Sequence, residues 1–239
     1  IDSVHIGVNH SGAPSQIITK DSISFLIYSK RYNTNQANPG NPTYVVEINR
    51  NNLPDNNTIE SNRSFVGNAG ENDIITNEKT NGVDGHNYGS LTMDSQGYLH
   101  IVLSGHHDQY LKYTKSTNPL SISSFSSIAY FGGEFVGTNA NGHTYNSLIC
   151  DENNKLHCVT RWSGNRYHFR VAYLTKSEGG TWSSIHDLVK PFESNYHNWY
   201  HKLSIDRLNN LYVNFQLSHQ ILTEEAFGTY LTEYPEESF

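Results

Sequence analysis

At 239 residues the chain suits one large domain or two small ones, and 16 Tyr and 18 Gly stand beside a single Met. Few Ala and Lys and a single Met argue against a helical bundle or coiled coil, and a net charge of −7 argues against a nucleic-acid footprint. No apolar run approaches the roughly 18 residues of a membrane span. What remains is Tyr, Phe, Val, Ile and Thr between clusters of Asn, Gly, Asp and Ser, and Asn alone takes roughly one residue in eight. That is the composition of strands joined by turns, and the chain is read as all-β.

In chain order, Ile1 opens without a basic-then-apolar leader, so any signal peptide is expected to have been removed or to lie outside this sequence. Residues 17–31 then place Asp21 before an alternating strand. Three fuller copies of this unit follow, beginning at Tyr88, Tyr145 and Tyr200. Each carries Leu three residues on, Asp six on and Leu eleven on. The copies of the Asp are Asp94, Asp151 and Asp206. A turn-forming carboxylate can cap backbone N–H groups, so all three are read as structural.

Within each copy the apolar period is two, as in Leu99, Ile101 and Leu103. Third strands are predicted near 109–115 and 167–175, and fourth strands near 125–131 and 182–188. Four antiparallel strands in about 50–57 residues make a propeller blade. The predicted fold is therefore a β-propeller of four-stranded antiparallel blades, about four in number. Repeats lie near 1–50, 86–131, 143–188 and 198–239, in one domain or propeller fragment spanning 1–239. The stretch from Ser177 to Trp182 resembles a degenerate Asp-box, the turn that closes blades in many carbohydrate-active propellers. A sandwich with similar hairpins is the alternative. Cys150 and Cys158 are too few for a disulfide framework and are read as two reduced core thiols.

Residues facing each other across a hairpin lie equally far from its centre. A turn centred two residues after Asp94 sets His86 opposite His106, and one centred two residues after Asp151 sets Tyr145 opposite Arg161. Four functional side chains are thus predicted on one rim of two neighbouring blades. The tyrosines recur from blade to blade, whereas Arg161 and the His pair do not; Ser104 and Gln216 stand where Arg161 does. Repetition argues for architecture and its absence for function. On the same grounds His100 and His157, at matching positions, are read as structural.

Two His, a Tyr and an Arg suit proton abstraction beside a carboxylate. An Arg paired with a uronate carboxylate stabilises the charge that develops when the C5 proton leaves. A neutral imidazole is a competent base near neutral pH, and a Tyr hydroxyl can protonate the departing oxygen. This is β-elimination as performed by polysaccharide lyases, and it needs neither a nucleophile nor a redox cofactor. A structural metal set of Cys150, His157, Cys158 and His168 is the remaining ligand combination.

The stretch from His86 to Ser116, with His143 to Ser177, resembles the BNR-repeat ulvan lyases of polysaccharide lyase families 24 and 25. The resemblance implies a seven-bladed propeller that cuts ulvan, a sulfated green-algal polysaccharide, between rhamnose 3-sulfate and a uronic acid. It implies that His86 and Tyr145 exchange protons, that Arg161 neutralises the uronate and that His106 orients or deprotonates it. It further implies an anionic polysaccharide as partner, no cofactor in the chemistry, and a secreted, periplasmic or cell-surface location. Some members carry a structural zinc or calcium, for which no ligands are assigned in this sequence. About four blades against seven leads to the expectation that the ring is incomplete here, with the remaining part of the propeller as a further partner. Two rivals are a carbohydrate-binding propeller that stacks sugars on Trp162, Trp199 and Tyr200, and a sialidase-like hydrolase. The hydrolase fits less well because the rim carries His where paired carboxylates are needed.

Overall fold

The computed structural model of the protein describes residues 17–30, 41–49, 51, 61–70, 86–105, 110–133, 142–163, 169–189 and 197–219. These residues form strands and turns. The first sheet holds β1 (Ile17–Lys20), β2 (Ile23–Ser29), β3 (Asn41–Asn49) and β4 (Arg63–Ala69) in that order. The second holds β5 (Tyr88–Met93), β6 (Leu99–Ser104), β7 (Leu111–Lys115) and β8 (Ala129–Phe131). The third holds β9 (Gly142–Cys150), β10 (Leu156–Ser163), β11 (Phe169–Lys176) and β12 (His186–Val189). A two-stranded sheet of β13 (His197–Ile205) and β14 (Leu211–His219) follows. Every pairing is antiparallel between chain neighbours, which is the up-and-down blade of a propeller. The outer strand of the first sheet, β4, comes from a segment to which the repeat pattern assigns no strand.

One turn is built three times. The backbone N–H of Asp94, Asp151 and Asp206 each donates to the carbonyl of the residue four positions on, and the residue three positions on donates its N–H back to the Asp carbonyl. That third position needs a left-handed backbone, and Gly97 (φ 92°), Asn154 (φ 58°) and Asn209 (φ 66°) supply it. The Asp side chains cap the loop as expected: Oδ1 accepts from Tyr98 N at 2.8 Å, from Lys155 N at 2.8 Å and from Asn210 N at 2.8 Å. Where Asn takes the left-handed position it also reaches the preceding blade. Asn154 Oδ1 accepts from Ser95 N at 2.9 Å, and Asn209 Oδ1 from Glu152 N at 3.3 Å.

Successive sheets press apolar faces together. Phe25, Ile27 and Val45 meet Leu91, Leu99 and Ile101 in the first seam. Val102 and Leu111 meet Leu148, Leu156 and Leu174 in the second, and Val159 and Val171 meet Leu203 in the third. Both faces of β6 are therefore buried, with Ile101 turned one way and Val102 the other, so all six of its residues lie inside. The Asp-box-like turn contributes to the second seam: Gly180 N donates to Ser177 O at 3.0 Å, and Trp182 stacks on Phe131 with ring centroids 4.0 Å apart. Such a pair adds about 0.5–1.5 kcal/mol beyond its buried area. Cys150 and Cys158 are free thiols, and Cys158 is wholly buried in the same seam. Burial pushes the Cys150 thiol up to about 12 and that of Cys158 higher still. Among the described residues no helix is long and apolar enough to cross a membrane.

Candidate active site

The first strands of the second, third and fourth sheets lie side by side, and the repeated tyrosines stand at their ends away from the Asp turns. Tyr88 and Tyr145 have ring centroids 6.4 Å apart, and Tyr145 and Tyr200 5.3 Å. The predicted register holds throughout β5 and β6, where Tyr88 faces Ser104 and Met93 faces Leu99. His86 precedes this ladder by two residues. Its expected partner His106 lies outside the described residues, as do His107 and His168.

The β9–β10 hairpin departs from prediction. Up to Val159, which faces Ser147, the pairs are centred as expected, but Arg161 then faces Thr144 and not Tyr145. The cause is a bulge: Tyr145 and Asn146 together stand opposite Thr160. Tyr145 takes a left-handed backbone with φ 61°, a conformation costing an aromatic residue on the order of 1–3 kcal/mol. The β5–β6 and β13–β14 hairpins pair without such a shift. Bulges re-aim side chains, and this one turns the Tyr145 ring onto its neighbour. The Arg161 guanidinium carbon lies 4.4 Å from the Tyr145 ring centroid, and His86 meets the same ring edge-on with centroids 5.6 Å apart.

Three of the four predicted site residues thus converge although the register that suggested it shifts by one. Tyr145 and Arg161 are each 1% exposed, while His86 and Tyr200 are half-buried at the margin. A guanidinium over a desolvated ring gains roughly 0.5–2 kcal/mol and keeps its charge. That charge is felt around it. Burial raises the Tyr88 phenol well above its ordinary value, nearby Tyr145 adds to this, and Arg161 opposes it. His201, buried beside the cluster, donates Nε2–H to Val159 O at 3.2 Å. Burial first, and then Arg161, hold it neutral down to about 4. His143 donates Nε2–H to Gly132 O at 2.7 Å and is likewise held by burial at about 4. The site therefore offers one fixed cation, a phenol and an imidazole within contact distance, with the neutral His201 beside them.

One aromatic position differs from expectation. Trp162 is 3% exposed and covered by the Arg170 guanidinium carbon at 5.0 Å, so burial removes it from a sugar-stacking rim. Tyr200 is half-buried at the margin with its ring on Tyr145, and the side chain of Trp199 lies outside the described ones. Asn146 was missed altogether. The available signal was non-repetition, since the residue after each repeated Tyr is Gly89, Asn146 and His201.

At the opposite strand ends the recurring histidines complete relays. His100 lies between Asp94 Oδ2 at 3.1 Å and Tyr113 Oη at 2.8 Å. His157 lies between Asp151 Oδ2 at 3.1 Å and Tyr173 Oη at 2.5 Å. A cavity of about 190 Å³ adjoins the first relay, lined also by Lys115, Lys176 and Glu178. Glu178 accepts there from Gln96 Nε2 and Asn154 Nδ2, both at 3.1 Å. Among the described residues no three His, Cys, Asp or Glu side chains gather to hold a metal. Both ring nitrogens of His157 are engaged, and His168 of the Cys–His set lies outside the described residues.

The fold and this cluster define a propeller with an aromatic–cationic centre where three blades meet. The chain belongs to the BNR repeat-containing family, whose sequence pattern matches residues 54–233. Among solved structures it is similar to a PL25 ulvan lyase bound to GlcA(1-4)Rha3S, with 18% identity and a TM-score of 0.59, over 88% of this chain and 47% of that one. It is also similar to the polysaccharide lyase Uly1, with 12% identity and a TM-score of 0.51, over 88% of this chain and 50% of that one. The chain thus spans about half the length of these structures. No curated protein sequence matches it.

Proposed function

We propose that the protein acts as a polysaccharide lyase on a uronate-containing sulfated polysaccharide, with ulvan as the substrate. The observation that carries this reading is the Arg161–Tyr145–His86 contact, which sets a fixed cation against a phenol and an imidazole. Arg161 pairs with the uronate carboxylate and stabilises the enolate-like charge as the C5–H bond breaks. Of His86 and Tyr145, one takes the C5 proton and the other protonates the departing C4 oxygen. The electron pair of the C5–H bond becomes the C4–C5 double bond while the C4–O bond breaks. His106, which the resemblance assigns to orienting or deprotonating the uronate, lies outside the described residues. The elimination consumes no cofactor. A polymer too large to cross a membrane places such an enzyme outside the cytoplasm, secreted, periplasmic or on the cell surface. The likeness to lyases named for ulvan supports this choice of substrate.

Incubation with ulvan tests the reading through the ultraviolet absorbance of an unsaturated uronate. Growth of that absorbance supports it. Binding without absorbance growth identifies a carbohydrate-binding propeller, and chain cleavage without a double bond a hydrolase.

A further inference from the structure

We infer that Asn146 is the positioning residue of this site: its buried amide ties the bulge to the neighbouring blade and so holds Tyr145 against Arg161. The inference builds on the proposed lyase reading for its kinetic consequence, but its geometry stands apart. Asn146 is 0% exposed, and its three side-chain hydrogen bonds cross the blade boundary. Nδ2 donates to Val102 O at 2.6 Å and to Ser90 Oγ at 2.9 Å, and Oδ1 accepts from Ser104 Oγ at 3.0 Å. Both amide protons and the amide oxygen are therefore used, and no other side chain of this size presents two donors and an acceptor in that arrangement.

The next residue ties the strand in the opposite direction, because Ser147 Oγ accepts from Leu203 N of the fourth sheet at 3.3 Å. The backbone after Tyr145 is thus held from two blades, and Thr160 closes the bulge by donating to Thr144 O at 3.1 Å. The corresponding residues in the hairpins without a register shift are Gly89 and His201. Neither can make the Asn146 set of bonds. The bulge, the left-handed Tyr145 and the buried amide occur together, in the blade that carries Arg161. An amide held by three bonds fixes the strand's direction at Asn146, and only the reversed φ at Tyr145 lets the ring meet the guanidinium from there.

The test compares Asn146→Ala with Ser104→Ala, which removes one bond of the set, and with Thr92→Val. The last variant breaks a hydrogen bond between the same two sheets, from Cys150 N to Thr92 Oγ1 at 3.0 Å, at the turn end. In protein labelled with ¹³C in the tyrosine rings, the Tyr145 signals are identified by their loss in Tyr145→Phe. They are expected to move in Asn146→Ala, to move less in Ser104→Ala, and to stay put in Thr92→Val. On ulvan, kcat is expected to fall at least ten-fold in Asn146→Ala with KM within about two-fold. The Asn146→Ala/Ser104→Ala double variant should be no slower than Asn146→Ala, because both act through one tether. Unmoved Tyr145 signals in folded Asn146→Ala and Ser104→Ala, or an equal shift in Thr92→Val, overturn the inference. Should the parent protein turn over no substrate, the lyase reading fails, and the tyrosine signals alone still decide the role of Asn146.

Discussion

The two ends of the strands are built from similar residues and behave in opposite ways. At the turn end, His, Tyr and Asp form relays in which every polar atom has a partner and which recur from blade to blade. At the far end, His, Tyr and Arg meet once, around a bulge that the other described hairpins of first and second strands lack. A neutral His100 donates Nε2–H to Asp94 and accepts from Tyr113, so its proton is committed. Tyr145 instead offers its ring to a cation and to His86. The same residue types close their hydrogen bonds on one another at one end and gather around a guanidinium at the other.

The sharpest way to break this contrast is Arg161→Ala. It should lower kcat/KM for ulvan by on the order of 10²–10³ or more, as removal of a transition-state charge partner does; near-parental turnover would take Arg161 out of the site. Tyr145→Phe keeps the ring and removes the hydroxyl, so its expected loss is about 10²-fold in kcat. Steady-state rates with the unfolding midpoint held in view separate this from loss of packing.

At the other end the expected effects are on stability. Asp94→Ala strips a buried carboxylate from His100, Lys115 and Tyr98 N, and should cost about 1–3 kcal/mol. Thermal unfolding would show this as a drop of several degrees with kcat little changed. The pH dependence sharpens the same point. Burial holds His100, His143 and His201 neutral down to about 4, against 6.5 when free. Below pH 6.5 the unfolded chain takes up protons that the folded one refuses, so stability falls from pH 6.5 towards 4. Asp94 and Asp151 extend the loss further into acid. Burial alone would raise both, but their hydrogen bonds, led by those from His100 and His157, hold them below the ordinary carboxylate value. A melting temperature flat across that window would remove the buried neutral histidines. The smallest effect belongs to Tyr212→Phe, whose hydroxyl donates to Asp206 Oδ2 at 2.9 Å on the surface. No measurable change in melting temperature is expected there, in contrast to the buried relays.

Much of this was legible in the repeats. Tyr88, Tyr145 and Tyr200 with their paired Leu and Asp located the hairpins, and the Asp turns form as their capping chemistry requires. The recurring His100 and His157 sit in the relays, and the solitary Arg161 lies against Tyr145 at the other strand ends. Trp162 was misplaced because alternation tells which residues share a face, not whether a neighbouring sheet or an arginine covers it.

By itself the sequence determined the strands of the repeated blades, their Asp turns and the residues that break the repeat, because these follow from local propensity, a period of two and positional arithmetic. The tertiary structure alone decided the bulge. An extra residue in a strand leaves no mark in composition or spacing; it exists because Asn146 finds its hydrogen-bond partners at Ser90, Val102 and Ser104, more than forty residues away along the chain. Those bonds form only once two blades have packed, and through them Tyr145 comes to face Arg161.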